Sequence, residues 1–122
     1  MLREIEKVRQ VPNDYFRRWF ADEDFDLYVW HKADGTFYGF QLCYDIADDA
    51  KAFTWVEDRG FSHQSIDTGE ESPLANRTPV LGPSSHFDGD EVMARFGASS
   101  RNLPAPIRDL VLSRYEAYKS KS

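Results

Sequence analysis

The chain has 122 residues, with 15 Lys and Arg against 21 Asp and Glu for a formal net charge of −6. That length makes one domain, residues 1–122, able to bury roughly two thirds of the surface its unfolded form exposes. Nine Phe, six Tyr and three Trp supply a core and exclude disorder, and the acidic balance excludes a role built on nucleic-acid backbone contacts, which needs a positive surface.

Cys43 is the single cysteine, so no intramolecular disulfide can form. The first eight residues alternate charged with apolar types and lack the apolar stretch of a signal peptide. No window approaches the ~18 apolar residues of a membrane span. The expected setting is the cytoplasm, without membrane contact.

Leu2, Ile5 and Val8 are spaced by three, which fits a short helix or an irregular strand, ended by Pro12-Asn13-Asp14. Residues 15–20 read as a first strand, followed by an acidic turn at Asp22-Glu23-Asp24. In residues 25–44, Asp34-Gly35 between two apolar runs is the signature of a hairpin with a two-residue loop. Pairing outward from that loop sets His31 against Tyr38, Val29 against Phe40, Leu27 against Leu42 and Phe25 against Tyr44, all on one face. The opposite face then holds Asp26, Tyr28, Trp30 and Lys32 against Cys43, Gln41, Gly39 and Phe37, with Gly39 leaving room for the Trp30 indole.

An acidic loop at 45–50 leads to a second hairpin, with strands at 52–56 and 61–66 and a turn at Arg59-Gly60. Phe53, Trp55 and Ile66 share its buried face. Residues 68–77 read as an exposed loop, 78–81 as a short edge strand containing Pro79, and 82–85 as a break. Asp88 and Glu91 have capping-box spacing, with Phe87 and Val92 placed as a hydrophobic staple and Gly97 as a stop, giving a helix of about two turns. Pro104 and Pro106 open a longer helix, with Ile107, Leu110, Val111, Arg114 and Tyr118 on one side. The tail 119–122 is expected to fray. Hairpins followed by helices predict an α+β domain: an antiparallel sheet of about four to six strands with two C-terminal helices packed on one face.

His31, His63 and His86 are too far apart for a zinc motif, and the acidic loop at 45–49 fails the calcium-loop template at Ala47 and Ala50, so no metal or other cofactor is expected. Cys43 lies opposite Asp26, a neighbour that raises a thiol pKa, and reads as a buried structural residue. There is no Gly-x-Ser-x-Gly elbow, and the Ser62-His63 and Ser85-His86 pairs point to opposite sides of a strand. His63, Asp67 and Glu70, with Glu71 beside them, form the best acid–base cluster, set against the reading of a solvent-facing strand running into a polar loop. Arg17-Arg18 beside Trp19-Phe20 is a stacking pattern used on single strands. The acids at positions 22, 23, 24 and 26 are expected to pair with these guanidiniums instead, so no nucleic acid is expected as a partner.

One layer of helices leaves a second sheet face bearing Tyr28, Trp30 and Phe37, with Val56 beside them. An exposed aromatic patch of this kind marks a contact for a protein or a small molecule, or for a second copy in a homodimer, unless residues 1–20 fold over it. The leading expectation is therefore a non-enzymatic domain that binds a partner or ligand through this face. The alternative is a small enzyme or ligand-binding protein using His63, Asp67 and Glu70.

The runs Arg17-Arg18-Trp19-Phe20, Asp26-Leu27-Tyr28-Val29-Trp30 and Gly39-Phe40-Gln41-Leu42-Cys43-Tyr44-Asp45, with Thr54-Trp55, His63, Asp67-Thr68-Gly69-Glu70 and Thr78-Pro79, resemble a family of small uncharacterised bacterial proteins over roughly residues 15–112. The resemblance implies a free-standing bacterial domain and carries over no catalytic residue.

Overall fold

The computed structural model describes residues 1–6, 8–10, 15–46, 50–65 and 88–120. Six strands, β1 (Arg3–Glu4), β2 (Phe16–Ala21), β3 (Phe25–His31), β4 (Phe37–Tyr44), β5 (Lys51–Val56) and β6 (Gly60–Ser65), precede two helices, α1 (Gly89–Ser99) and α2 (Ala105–Ser120). Each strand pairs antiparallel with the next, so the sheet order is the chain order. This is the α+β architecture of consecutive hairpins that the strand and turn signals predict, with both helices against one face of the sheet.

Alternation sorts the side chains. Phe20, Phe25, Leu27, Val29, Phe40, Leu42 and Phe53 project from the sheet into a cluster completed by Val92, Phe96, Ile107, Val111 and Tyr115 from the helices. Ring edges lock the layers: Phe25 meets Phe96 at 6.0 Å and Phe53 meets Tyr115 at 6.1 Å, both near perpendicular. Arg114 of α2 lies over the Trp55 ring at 4.5 Å.

The β3–β4 register agrees with the expectation from Phe25↔Tyr44 up to Trp30↔Gly39 and then departs from it. Lys32 N donates to Thr36 O at 2.7 Å and Gly35 N to Lys32 O at 2.9 Å, with Gly35 at φ +90°. The loop is therefore three residues long, a turn closed by a left-handed glycine, and Asp34 Oδ1 accepts from both Thr36 N and Thr36 Oγ1. The extra residue produces a bulge at Trp30/His31, so His31 faces Phe37 instead of Tyr38. One residue of slip turns a side chain to the other face. Phe37 consequently packs on the helix side, its ring 5.0 Å from His31 and against the core cluster, and does not belong to the second face.

The N-terminal segment chooses the strand. β1 extends the sheet beside β2, and Leu2, fully buried, donates its N–H to Ser99 O at the end of α1 (2.8 Å). Beyond β1, the Gln10 side-chain amide exchanges two 2.8 Å hydrogen bonds with the backbone of Arg17, occupying the outer edge of β2. Segments 3–4 and 16–21 are thus sheet members and do not lie over the second face. Arg18 is paired by Glu4 on the adjacent strand through 2.7 and 2.8 Å bonds, not by the acids that follow it in sequence.

α1 begins as expected, with Asp88 Oδ1 accepting from Glu91 N at 3.4 Å and Asp90 and Glu91 at its positive end. It continues past Gly97 to Ser99, because a lone glycine costs a helix only about 1 kcal/mol. α2 starts around Pro104 and Pro106 and holds its form to Ser120, where Lys119, expected to fray, pairs with Asp90 at 3.2 Å. No helix among the described residues is long and apolar enough to cross a membrane. Ile66, the loop 68–77, the edge strand 78–81, the break 82–85 and Phe87 lie outside the described residues.

Gly39 marks a tight contact between β4 and β5. A Cβ there would sit 2.5 Å from the Trp55 carbonyl oxygen and 3.1 Å from Val56 Cα, both backbone atoms that cannot turn aside. The space left by the missing side chain is thus needed by β5, not by the Trp30 indole. Gly39→Ala should lower stability by about 1–3 kcal/mol, the usual cost of overpacking, read as a shift of the urea midpoint; an unchanged midpoint would show that the ladder yields at this point.

Candidate functional site

The second face reads directly off the registers as three rows across the sheet. Arg17, Trp30, Gly39 and Val56 form one, Trp19, Tyr28, Gln41, Thr54 and Ser62 the next, and Ala21, Asp26, Cys43, Ala52 and Gln64 the third. Tyr28 and Trp30 are on it as expected, but they do not form an exposed patch. Tyr28 is half-buried, Trp30 is only 3% exposed, and Gln41 and Cys43 are 4% and 3% exposed. Trp30, Gln41, Cys43 and Ala52 are buried outside the core cluster beneath the helices.

Polar groups are concentrated on this face. Trp19 Nε1 donates to Asp26 Oδ1 at 3.0 Å, and the Trp19 ring stacks on Tyr28 with centroids 5.8 Å apart. Gln41 Nε2 donates to Thr54 Oγ1 at 3.0 Å, whereas Gln41 Oε1 and Trp30 Nε1 are buried with no hydrogen-bond partner. His31 Nε2 and Arg114 Nε are also unpartnered, but on half-buried side chains of the helix side. A buried acceptor or donor left unmade costs about 1–3 kcal/mol, so two on fully buried side chains of one face require a reason.

Burial also sets the protonation chemistry. It pushes the Asp26 carboxyl above its usual range, against the pull of the Trp19 hydrogen bond, and nearby Asp22 adds to the rise. Burial, with Asp26 second, pushes the Tyr28 hydroxyl and the Cys43 thiol each up to about 12. At neutral pH both are uncharged, and Cys43 is not a nucleophile.

The acid–base candidates separate. His63 lies on β6 opposite Phe53, so it faces the helix side and is buried there at 8% exposure, not on a solvent-facing strand. Its Nε2 shares a 2.6 Å hydrogen bond with the Tyr44 hydroxyl, and the two rings lie 5.9 Å apart. Ser62, its neighbour in sequence, is on the second face. Asp67, Glu70 and Glu71 lie outside the described residues, as does His86. Among the described residues no group of three or more His, Cys, Asp or Glu is placed to hold a metal ion.

Gln41, Thr54, Trp19 and Asp26 are the members that the aromatic patch did not include. Their signal is a glutamine in the middle of the apolar strand Phe37–Tyr44, on the same alternation as Cys43.

The raised Asp26 pKa gives stability a definite sign. The folded protein holds this proton to higher pH than the unfolded chain does, so stability falls as pH rises through the usual Asp value, from about pH 4 upward. Asp26→Asn keeps an acceptor for Trp19 and removes the titration. The urea midpoint of the variant should therefore gain on that of the natural protein between pH 3 and pH 7; a gap that stays constant or closes would count against a buried, penalised carboxylate.

Comparisons with protein-family models, with curated proteins and with solved structures find no match for this chain.

Proposed function

We propose that this chain is a non-enzymatic binding domain whose site is the second sheet face and whose ligand is a small molecule. The observation that carries this reading is the pair of unpartnered atoms Gln41 Oε1 and Trp30 Nε1 on side chains more than nine-tenths buried. Each of these buried groups carries the desolvation cost of an unmade hydrogen bond, and a ligand that pairs with them removes it.

Two further features favour a small ligand over a second copy of the chain. Trp30, Gln41 and Cys43 are already buried within a single chain, and so offer little area to another subunit. Among the described residues, the large apolar side chains that are exposed, Met1, Tyr15 and Phe16, are outside the three rows of this face. A binding role also suits the chemistry. The thiol and phenol of the face are held protonated, and its carboxylate is engaged by Trp19.

Gln41→Leu tests the reading, because it removes the unpartnered Oε1, along with the Nε2 bond to Thr54, and puts an apolar side chain of similar size in their place. Without ligand, the variant should unfold at the same urea concentration as the natural protein or at a higher one, the pattern expected where a site is retained at a cost in stability. In a fragment screen followed by amide and indole N–H resonances, binders should move the Trp30 Nε1–H signal in the natural protein and fail to do so in the variant. A stability loss above about 2 kcal/mol would make Gln41 a structural residue. That result, or a screen in which no fragment moves the Trp30 signal, overturns the reading.

A further inference from the structure

Building on that reading, we infer the class of ligand: an uncharged, planar heterocycle carrying a lactam, that is, a ring N–H next to a ring C=O. The two unpartnered groups of the face have opposite senses. Gln41 Oε1 can only accept, so the ligand must bring a donor; Trp30 Nε1–H can only donate, so the ligand must bring an acceptor.

The register places them close together. Trp30 is paired with Gly39 and Tyr28 with Gln41, which makes Trp30 and Gln41 diagonal neighbours on adjacent strands. Such positions are about 7–8 Å apart along the backbone, a span that long side chains bridge. One small ligand with adjacent donor and acceptor meets both groups, whereas a molecule with only one of them leaves the other group unpaired.

Charge excludes the other classes. An anion would enter beside Asp26, which already sits at a desolvation cost, and among the described residues of the three rows the one cation, Arg17, is at the outer end of its row. A cation would seek Asp26, but that carboxylate already accepts from Trp19. The parallel rings of Trp19 and Tyr28 adjoin Gln41 in the middle row and offer flat surface to a planar molecule.

The probes are 2-pyridone, uracil and hypoxanthine as lactams; 1-methyl-2-pyridone, which keeps the acceptor and loses the donor; indole, which donates only; and benzoate and benzamidine as the two charged classes. Each is titrated into the full chain while the Trp30 Nε1–H resonance is followed. At least one lactam should move that resonance in a saturable way, and 1-methyl-2-pyridone should bind about tenfold or more weakly than 2-pyridone, the cost of one unmade hydrogen bond. Gln41→Leu should remove this preference for the N–H form and leave the weak binding of the methylated ring unchanged. If indole, benzoate or benzamidine titrates the Trp30 signal and the lactams do not, the ligand class is wrong while the binding face stands. If none of the seven probes moves it, the lactam class falls, and the binding face itself falls only if the broader fragment screen is silent too.

Discussion

The two-residue alternation along the β3–β4 ladder is the constraint on which the rest of the structure depends. With Val29 opposite Phe40 and Leu27 opposite Leu42, every second side chain of the central strands is committed to the helix side. The intervening residues, Asp26, Tyr28, Trp30, Gly39, Gln41 and Cys43, are committed to the other side whatever their polarity. The outer strands inherit this division through their own registers, and α1 and α2 can only close the face that is already apolar. A shift of one residue would put Gln41 into the core and Leu42 on the polar side, so the register and the polar face are fixed by the same pairings.

The two faces solve different problems. On the helix side, buried rings meet edge to face and two buried hydroxyls are engaged, that of Tyr44 by His63 and that of Tyr115 by Asp90. Gly89 belongs to that solution, since a Cβ on it would run into the Tyr115 ring. On the second face, burial is just as deep at Trp30 and Gln41, yet Trp30 Nε1 and Gln41 Oε1 have no hydrogen-bond partner, while Gln41 Nε2 donates to Thr54. Leucine at position 41 would suit a purely structural face better than glutamine does.

Much of this was legible in the residues alone. The Asp34-Gly35 turn, the apolar alternation on either side of it, the cap at Asp88 and the prolines at 104 and 106 are local signals, and local physics decides them. Loop length was not legible to one residue, because Asp-Gly suits both a two-residue turn and a three-residue turn with a bulge. That single residue moved Phe37 from the proposed surface to the core side. The strand of residues 3–4 and the pairing of Arg18 with Glu4 depend on a neighbour more than ten positions away. The depth of the second face was hidden for another reason: alternation tells which way a side chain points but not how much water it keeps. Trp30 therefore read as an exposed aromatic when it is a buried one.

The same geometry separates the histidine from the polar face. His63 and Gln41 are on neighbouring parts of one sheet, but alternation sends them to opposite sides of it, and the backbone layer stands between them. A general base has to come within hydrogen-bond reach of the proton it takes, directly or through one water. His63 Nε2 is instead held at 2.6 Å by the Tyr44 hydroxyl on the helix side. Around Gln41 and Trp30 the described residues bring amide, indole, phenol, thiol and carboxyl groups to this face, and no imidazole among the described residues joins them. Of these, the thiol and phenol are held protonated by burial, and the carboxyl accepts from the Trp19 indole.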